Sequence, residues 1–258
     1  MLRFLPRGRW IWKSLILINK IFFLVGVPWN KFYAVLLDRI ERDNDIEKVL
    51  ARGRLKAGSK KHKGLYDVAQ GEKQLELLRV LGLKSRSSLL ELGLGYGRSA
   101  IPIIKFLHAS RYHGTEISSR RMAMCRDWIK IEKLDKKRPN LVLVNDNSLS
   151  EFKGKFFDFI WAQGVITHMP DHEFVRLLKS LKGIMNSKSR FVFNFGVSNS
   201  GKCVNQNLKD FYYHPDYMFR LCRSEGYVVE EIDVWHEYLH FGIDRKKNMA
   251  LSLTVGST

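Results

Sequence analysis

Cysteine is scarce in this chain: 258 residues carry three, Cys125, Cys203 and Cys222. The number is odd and the spacings are wide. That excludes a disulfide framework and the paired spacing of a structural zinc site, and makes a reducing cytosol the expected compartment. Cys125 and Cys222 fall in expected helices, where they read as core packing rather than nucleophiles. Acids are also short, 26 against 44 lysines and arginines, for a net charge of +18. Such an excess favours an anionic contact, such as phospholipid headgroups or nucleic acid, and says nothing about fold. No apolar run reaches the ~20 continuous residues a spanning helix needs. The N-terminal stretches Leu15–Ile18 and Ile21–Val27 are split by Asn19 and Lys20, and the lysine also spoils the apolar centre of a signal peptide. Internal repeats and low-complexity tracts are missing as well.

What is present centres on residues 89–98. Leu89, Leu90 and Leu92 form a short apolar run behind polar Lys84–Ser88, as expected of a buried strand. Gly93, Gly95 and Gly97 follow at alternate positions. Ile101, Ile103, Ile104, Phe106 and Leu107 then supply a buried face for a helix. Strand, glycine turn and helix bring bare backbone up against a ligand. A dinucleotide fingerprint needs G-x-G-x-x-G, and here the third position is Arg98. The spacing is instead G-x-G-x-G behind acidic Glu91.

The context adds three strands. Tyr112 to Ile117 carries Glu116 near its end, about 20 residues past the loop, where an acid accepts ribose hydroxyls. Leu141 to Val144 runs into Asn145-Asp146-Asn147-Ser148. Phe156 to Ala162 ends at Gln163-Gly164. Either acid alone would read as a loop cap. Taken in order, these four motifs resemble the class I S-adenosylmethionine (SAM)-dependent methyltransferases. The resemblance covers about residues 64–255. It implies SAM as cofactor, bound by Glu91, Gly93, Leu94, Gly95, Tyr96 and Gly97 of the loop, by Glu116 and Ile117, by Asp146 and Asn147 at the adenine, and by Gln163 near the reacting methyl. It also implies a Rossmann-like α/β fold with a seven-stranded, mostly parallel sheet whose last strand is antiparallel. Alternating strands and helices support that fold independently.

Two regions are expected along the chain: a basic, partly apolar helical extension and linker over 1–63, and the methyltransferase domain over 64–258. In the extension, Arg9, Lys13 and Lys20 share one helical stripe, with apolar side chains around most of the rest. Such a helix suits an anionic membrane interface, with Trp10 and Trp12 at headgroup level, or packs on the domain. The expected location is therefore cytoplasmic and peripheral on the inner face of a membrane. A basic linker, Arg52 to Lys63, follows. Helices are expected at 71–81, from Ser118 or Ser119 to about Leu134, at 171–181, and from Pro215 to near Gly226. Further strands are expected at 190–195, 227–234 and 249–255, the last two as a hairpin. Gly196 to Asp210 reads as a long loop of the acceptor side.

Methyl transfer from a sulfonium is an in-line displacement, so the protein mainly aligns acceptor and methyl. A hydroxyl acceptor gains from a base. His168, in the loop Gln163-Gly164-Val165-Ile166-Thr167-His168-Met169-Pro170 after the fourth strand, is the candidate, because imidazole titrates near neutrality; the alternative is a histidine that only bonds the following helix start. The loop lacks the Asn/Asp-Pro-Pro-Tyr/Phe of base-amine and glutamine enzymes and the Pro-Cys of cytosine-C5 enzymes. It is similar to methyltransferases of small molecules and of sugar or lipid hydroxyls. O-methylation of a small-molecule, sugar or lipid-linked acceptor is the expected reaction. An RNA or protein methyltransferase and a non-catalytic SAM-binding scaffold are the alternatives. Nucleic acid is a weaker partner, since no RNA module is visible. His236-Glu237-Tyr238-Leu239-His240 matches a zinc-protease string. Residues 241–258 supply no third histidine or glutamate ligand, and no metal is expected.

Overall fold

The structure, a computed structural model, describes residues 68–207, 210–238 and 248–256, together with Ala34. Apart from Ala34, the N-terminal extension, the basic linker and its boundary with the domain lie outside the described residues.

The chain order is α1 (Val68–Val80), β1 (Leu89–Leu92), α2 (Ala100–Phe106), β2 (Tyr112–Glu116), α3 (Ser119–Ile131), β3 (Asn140–Leu143), β4 (Phe159–Ala162), α4 (Asp171–Leu181), β5 (Arg190–Val197), β6 (Cys203–Asn207), β7 (Asp210–Tyr213), α5 (Pro215–Ser224), β8 (Tyr227–Glu231), α6 (Trp235–Tyr238) and β9 (Asn248–Val255). Strands β3, β2, β1, β4 and β5 lie side by side and parallel. The next position belongs to β9, antiparallel to both β5 and β8. The expected mostly parallel sheet with an antiparallel last strand is therefore the fold.

Both faces are covered. This is why β1 reads as an unbroken buried run rather than an alternating one. One face holds Leu77 and Leu78 of α1, Ile101 and Ile104 of α2, and Met122, Cys125 and Trp128 of α3, with Trp161 and Trp235 against them. The other holds α4 and α5. Phe174, Leu177, Leu178 and Leu181 recur at helical spacing and pack with Phe191, Phe193, Met218 and Cys222. Ser118 caps α3 by accepting from the Arg121 N–H at 3.1 Å. The two cysteines expected in the core are fully buried.

One expectation is corrected. Gly196–Asp210 is not simply a loop: the seven expected strands are present, and two more join them here to make nine. Strand β5 continues to Val197, and β6 and β7 form an antiparallel hairpin. Gly196 pairs with both Tyr212 and Asn248, so β7 and β9 lie on opposite edges of β5. Strand β7 thus takes the β4 edge, beyond the point where β4 ends at the Ala162–Phe193 pair. A side chain at Gly196 is excluded there: a Cβ would lie 2.8 Å from the Tyr212 ring.

Candidate active site

Parallel strands place the expected functional residues other than Glu91 at one edge. Residues 93–97 follow β1, Glu116 and Ile117 close β2, Asp146 and Asn147 follow β3, and Gln163 and His168 follow β4. This is the carboxyl edge, where open α/β sheets bind ligands.

Glu116 and the glycine turn meet directly. The Gly95 N–H donates to Glu116 Oε2 at 2.8 Å, while the Ile117 and Ser118 N–H groups donate to Oε1 at 2.9 and 3.0 Å. Burial pushes the Glu116 carboxyl up from its ordinary value, opposed by the Arg121 guanidinium and by those three N–H groups. Arg121 also lies 5.2 Å from the Tyr96 ring centre. The Glu116 carbonyl accepts from Val144 N–H at 2.9 Å, which ties the end of β3, and hence Asp146, to the same corner. Gly95 has φ +58, and a Cβ there would meet nothing within 4 Å. Its backbone therefore faces open space, as a cofactor cradle requires. Gly93 differs: a Cβ would strike Val165 at 2.7 Å, so this glycine serves packing between the first and fourth strand ends. Leu94 and Tyr96 are buried.

The other expected contacts are placed as follows. Glu91 is buried below the loop, accepting from the Ser99 and Tyr112 hydroxyls, the latter at 2.6 Å. Burial raises its carboxyl to about 7, against the opposing pull of those hydroxyls. Asp146 is exposed and accepts from the Ser148 N–H at 2.8 Å, while Asn147 turns its amide to Glu173 at 3.0 Å. Gln163 Oε1 is buried with no hydrogen-bond partner among the described residues. Orphaned buried acceptors are rare, and this one fits a ligand that brings N–H donors.

The buried Glu91 makes stability depend on pH. Its unfolded value is near 4.5 and its folded value about 7. The stability this group contributes is full below pH 4.5 and lost as pH rises to 7, because the fold must then ionise a buried carboxyl. Glu91→Gln removes the term. Relative to wild type, the variant should gain about 3 kcal/mol between pH 4.5 and 7.5, at ~1.4 kcal/mol per pK unit. Denaturant midpoints at the two pH values read this directly, and a constant difference would refute it. His113, lowered to about 4 by burial and by Lys155, acts in the opposite sense: its contribution is present above 6.5 and lost as pH falls to 4. It is common to both proteins and cancels in the difference.

His168 sits in a single 3-10 turn, Ile166–His168, directly after β4. Its Nδ1 lies 2.9 Å from Asp210 Oδ1 at the start of β7; the two side chains are 32% and 16% exposed. The turn is held from several sides. Tyr213 donates to the Met169 carbonyl at 2.5 Å, Tyr217 donates to Asp171 at 3.0 Å, and the Gly164 N–H donates to Asn194 Oδ1 at 2.6 Å. Asp210 and Asn194 were not foreseen from sequence. The available signal was the Asp-Phe-Tyr-Tyr alternation before Pro215, which marks a half-buried strand and places Asp210 and Tyr212 on the opposite side from Phe211 and Tyr213.

The zinc-protease string falls partly outside the described residues, as His240 and the His236 side chain do. No group of acids, histidines and cysteines able to hold a metal occurs among the described residues.

Comparison with known proteins agrees with this geometry. A family model described as a methyltransferase domain matches residues 89–188. A glycopeptide N-methyltransferase complexed with SAM is 15% identical, with 77% of this chain and 99% of that one covered at a TM-score of 0.56. A SAM-dependent methyltransferase from Clostridium acetobutylicum ATCC 824 is 10% identical, with 83% and 100% covered at 0.58. Residues 89–188, from β1 to just beyond α4, thus form a methyltransferase domain, and the chain has the fold of the SAM-dependent methyltransferases, with a glycine cradle closed by a buried acid.

Proposed function

We propose that this enzyme O-methylates a small-molecule, sugar or lipid-linked acceptor, with His168 as general base. SAM supplies an activated methyl group, so the chain's own task is to hold the donor, align the acceptor and manage one proton. In this reading the loop 93–97 with Glu116, Ile117, Asp146, Asn147 and Gln163 holds the donor, and Glu91 supports the loop from beneath. The observation that carries the reading is the partly exposed His168, in the turn that leaves the end of β4 at the same edge as the glycine cradle. A neutral hydroxyl is a weak nucleophile, and a positioned imidazole relieves it of its proton as the new bond forms.

His168→Ala should lower methyl transfer by about 10²–10⁴-fold and leave the SAM dissociation constant unchanged. Full retained turnover would return His168 to bracing the start of α4. The acceptor is identified by incubating the full chain with methyl-labelled SAM and separated lipid, glycan and RNA fractions, then by mass spectrometry of the product. A methyl ether in a lipid or glycan supports the reading; label only in RNA removes it. An amine acceptor is the second reading, favoured by the likeness to the glycopeptide N-methyltransferase, and a methylamine product would establish it.

The charge of +18 and the basic stripe of the N-terminal segment support an acceptor met at an anionic membrane surface, with the protein peripheral on the cytoplasmic side and residues 1–63 as the contact. No helix among the described residues is long and apolar enough to cross a membrane.

A further inference from the structure

We propose that Asp210 is the positioning residue of this site: its carboxylate fixes the tautomer of His168, so that Nε2 is the nitrogen that takes the acceptor's proton. The inference rests on the reading of His168 as the base. An ionised carboxylate only accepts hydrogen bonds, so a neutral imidazole bonded to it through Nδ1 must carry its proton there. The lone pair is then on Nε2. Free imidazole has no such assignment built in; the partner of one nitrogen decides the role of the other.

The pair is built rather than incidental. Asp210 opens a strand that is itself seated on β5 through the Gly196–Tyr212 and Val197–Tyr213 pairs. Three residues along the same strand, Tyr213 is fully buried and donates to the Met169 carbonyl next to His168. Tyr217, at the start of the following helix, donates to Asp171. The hairpin and the helix after it thus hold the His168 turn through their side chains, with the carboxylate at one end. A mere surface ion pair would not need those anchors, and an exposed pair contributes little.

The step balances. The acceptor O–H bond breaks as Nε2–H forms. A C–O bond forms as the methyl's C–S bond breaks, and the electron pair stays on sulfur, leaving a neutral thioether and an imidazolium. Asp210 stabilises that imidazolium across 2.9 Å until it returns its proton to solvent.

The test uses the full chain with the demethylated cofactor product present, labelled with ¹⁵N-histidine. The protein has eight histidines, and His168→Gln identifies the signal by its loss. Long-range ¹H–¹⁵N spectra at a pH of about 8.5, where imidazole is neutral, should show His168 protonated on Nδ1. In Asp210→Asn the proton should redistribute toward Nε2. A wild-type signal protonated on Nε2, or an unchanged tautomer in Asp210→Asn, overturns the proposal. On whichever acceptor fraction the wild type labels, Asp210→Asn should be about 100-fold slower. The His168→Ala/Asp210→Asn double variant should be no slower than His168→Ala alone, since the two act as one unit; a multiplicative loss would place Asp210 elsewhere in the reaction and overturn the proposal. A tautomer switch together with an unimpaired His168→Ala enzyme would sink the general-base reading while leaving the Asp210–His168 link in place, so the two failures are told apart.

Discussion

Glu116→Ala should weaken SAM binding by about 1–3 kcal/mol, roughly 5- to 150-fold in Kd. The carboxylate is 3% exposed and takes three backbone N–H groups. On the proposed reading alanine removes the acceptor for the ribose hydroxyls, and it leaves those three donors without their partner. One of them belongs to Gly95, so the cradle itself should loosen. Calorimetry with SAM and with its demethylated product measures the loss. Glu116→Gln, which keeps an oxygen for Gly95, should bind with an intermediate affinity and unfold close to wild type. An unchanged Kd in the alanine variant would show that the acid holds the loop and not the cofactor.

Gly71→Ala should destabilise the protein although it replaces a poor helix former with the best one. In a helix interior the exchange ordinarily gains about 0.5–1 kcal/mol. Here the added Cβ would lie 2.0 Å from the Arg98 carbonyl oxygen and 3.3 Å from Pro102. That contact is with backbone, so α1 must move. Overpacking of this kind costs ~1–3 kcal/mol, and the net result should be a lower midpoint in denaturant. Arg98 ends the glycine turn, so a displaced α1 should also cost SAM affinity. A raised midpoint would show that the helix can slide without penalty.

Much of the donor side was legible. Strands β1 and β4 are short, mostly apolar runs with a glycine one or two residues beyond their ends, and strands buried on both faces leave that mark. The acid at 116 was singled out by its distance from the glycines, and the one at 146 by the resemblance, from its place after the third strand. What the residues contact was less visible. Nothing local shows that Glu91 points into the core toward Tyr112, or that Asn147 turns to Glu173, because both partners arrive from other elements. The hairpin was missed for a physical reason: in Cys203–Asn207 only Cys203 and Val204 are apolar, three polar residues follow in a row, and the segment sits in a run of Ser, Asn, Gly and Lys. Such a segment becomes a strand through the edge it meets and not through its own propensity. Asp210 shares no motif with His168, and the sheet alone brings them together. Gly71 stands at the start of the helix expected from sequence, and nothing in the sequence marks the Arg98 carbonyl that lies against it.

The uneven height of the strands has an evolutionary consequence. Because β4 stops short of β5, a ledge of unpaired edge remains above it, and the hairpin occupies that ledge. Its strands pair only with β5 and with each other, so none of β1 to β3 is needed to seat it. Descendants can lengthen, shorten or exchange residues 198–213 without recutting the donor half. On the proposed reading of the site, acceptor preference and methyl-donor chemistry are inherited on separable parts of one sheet.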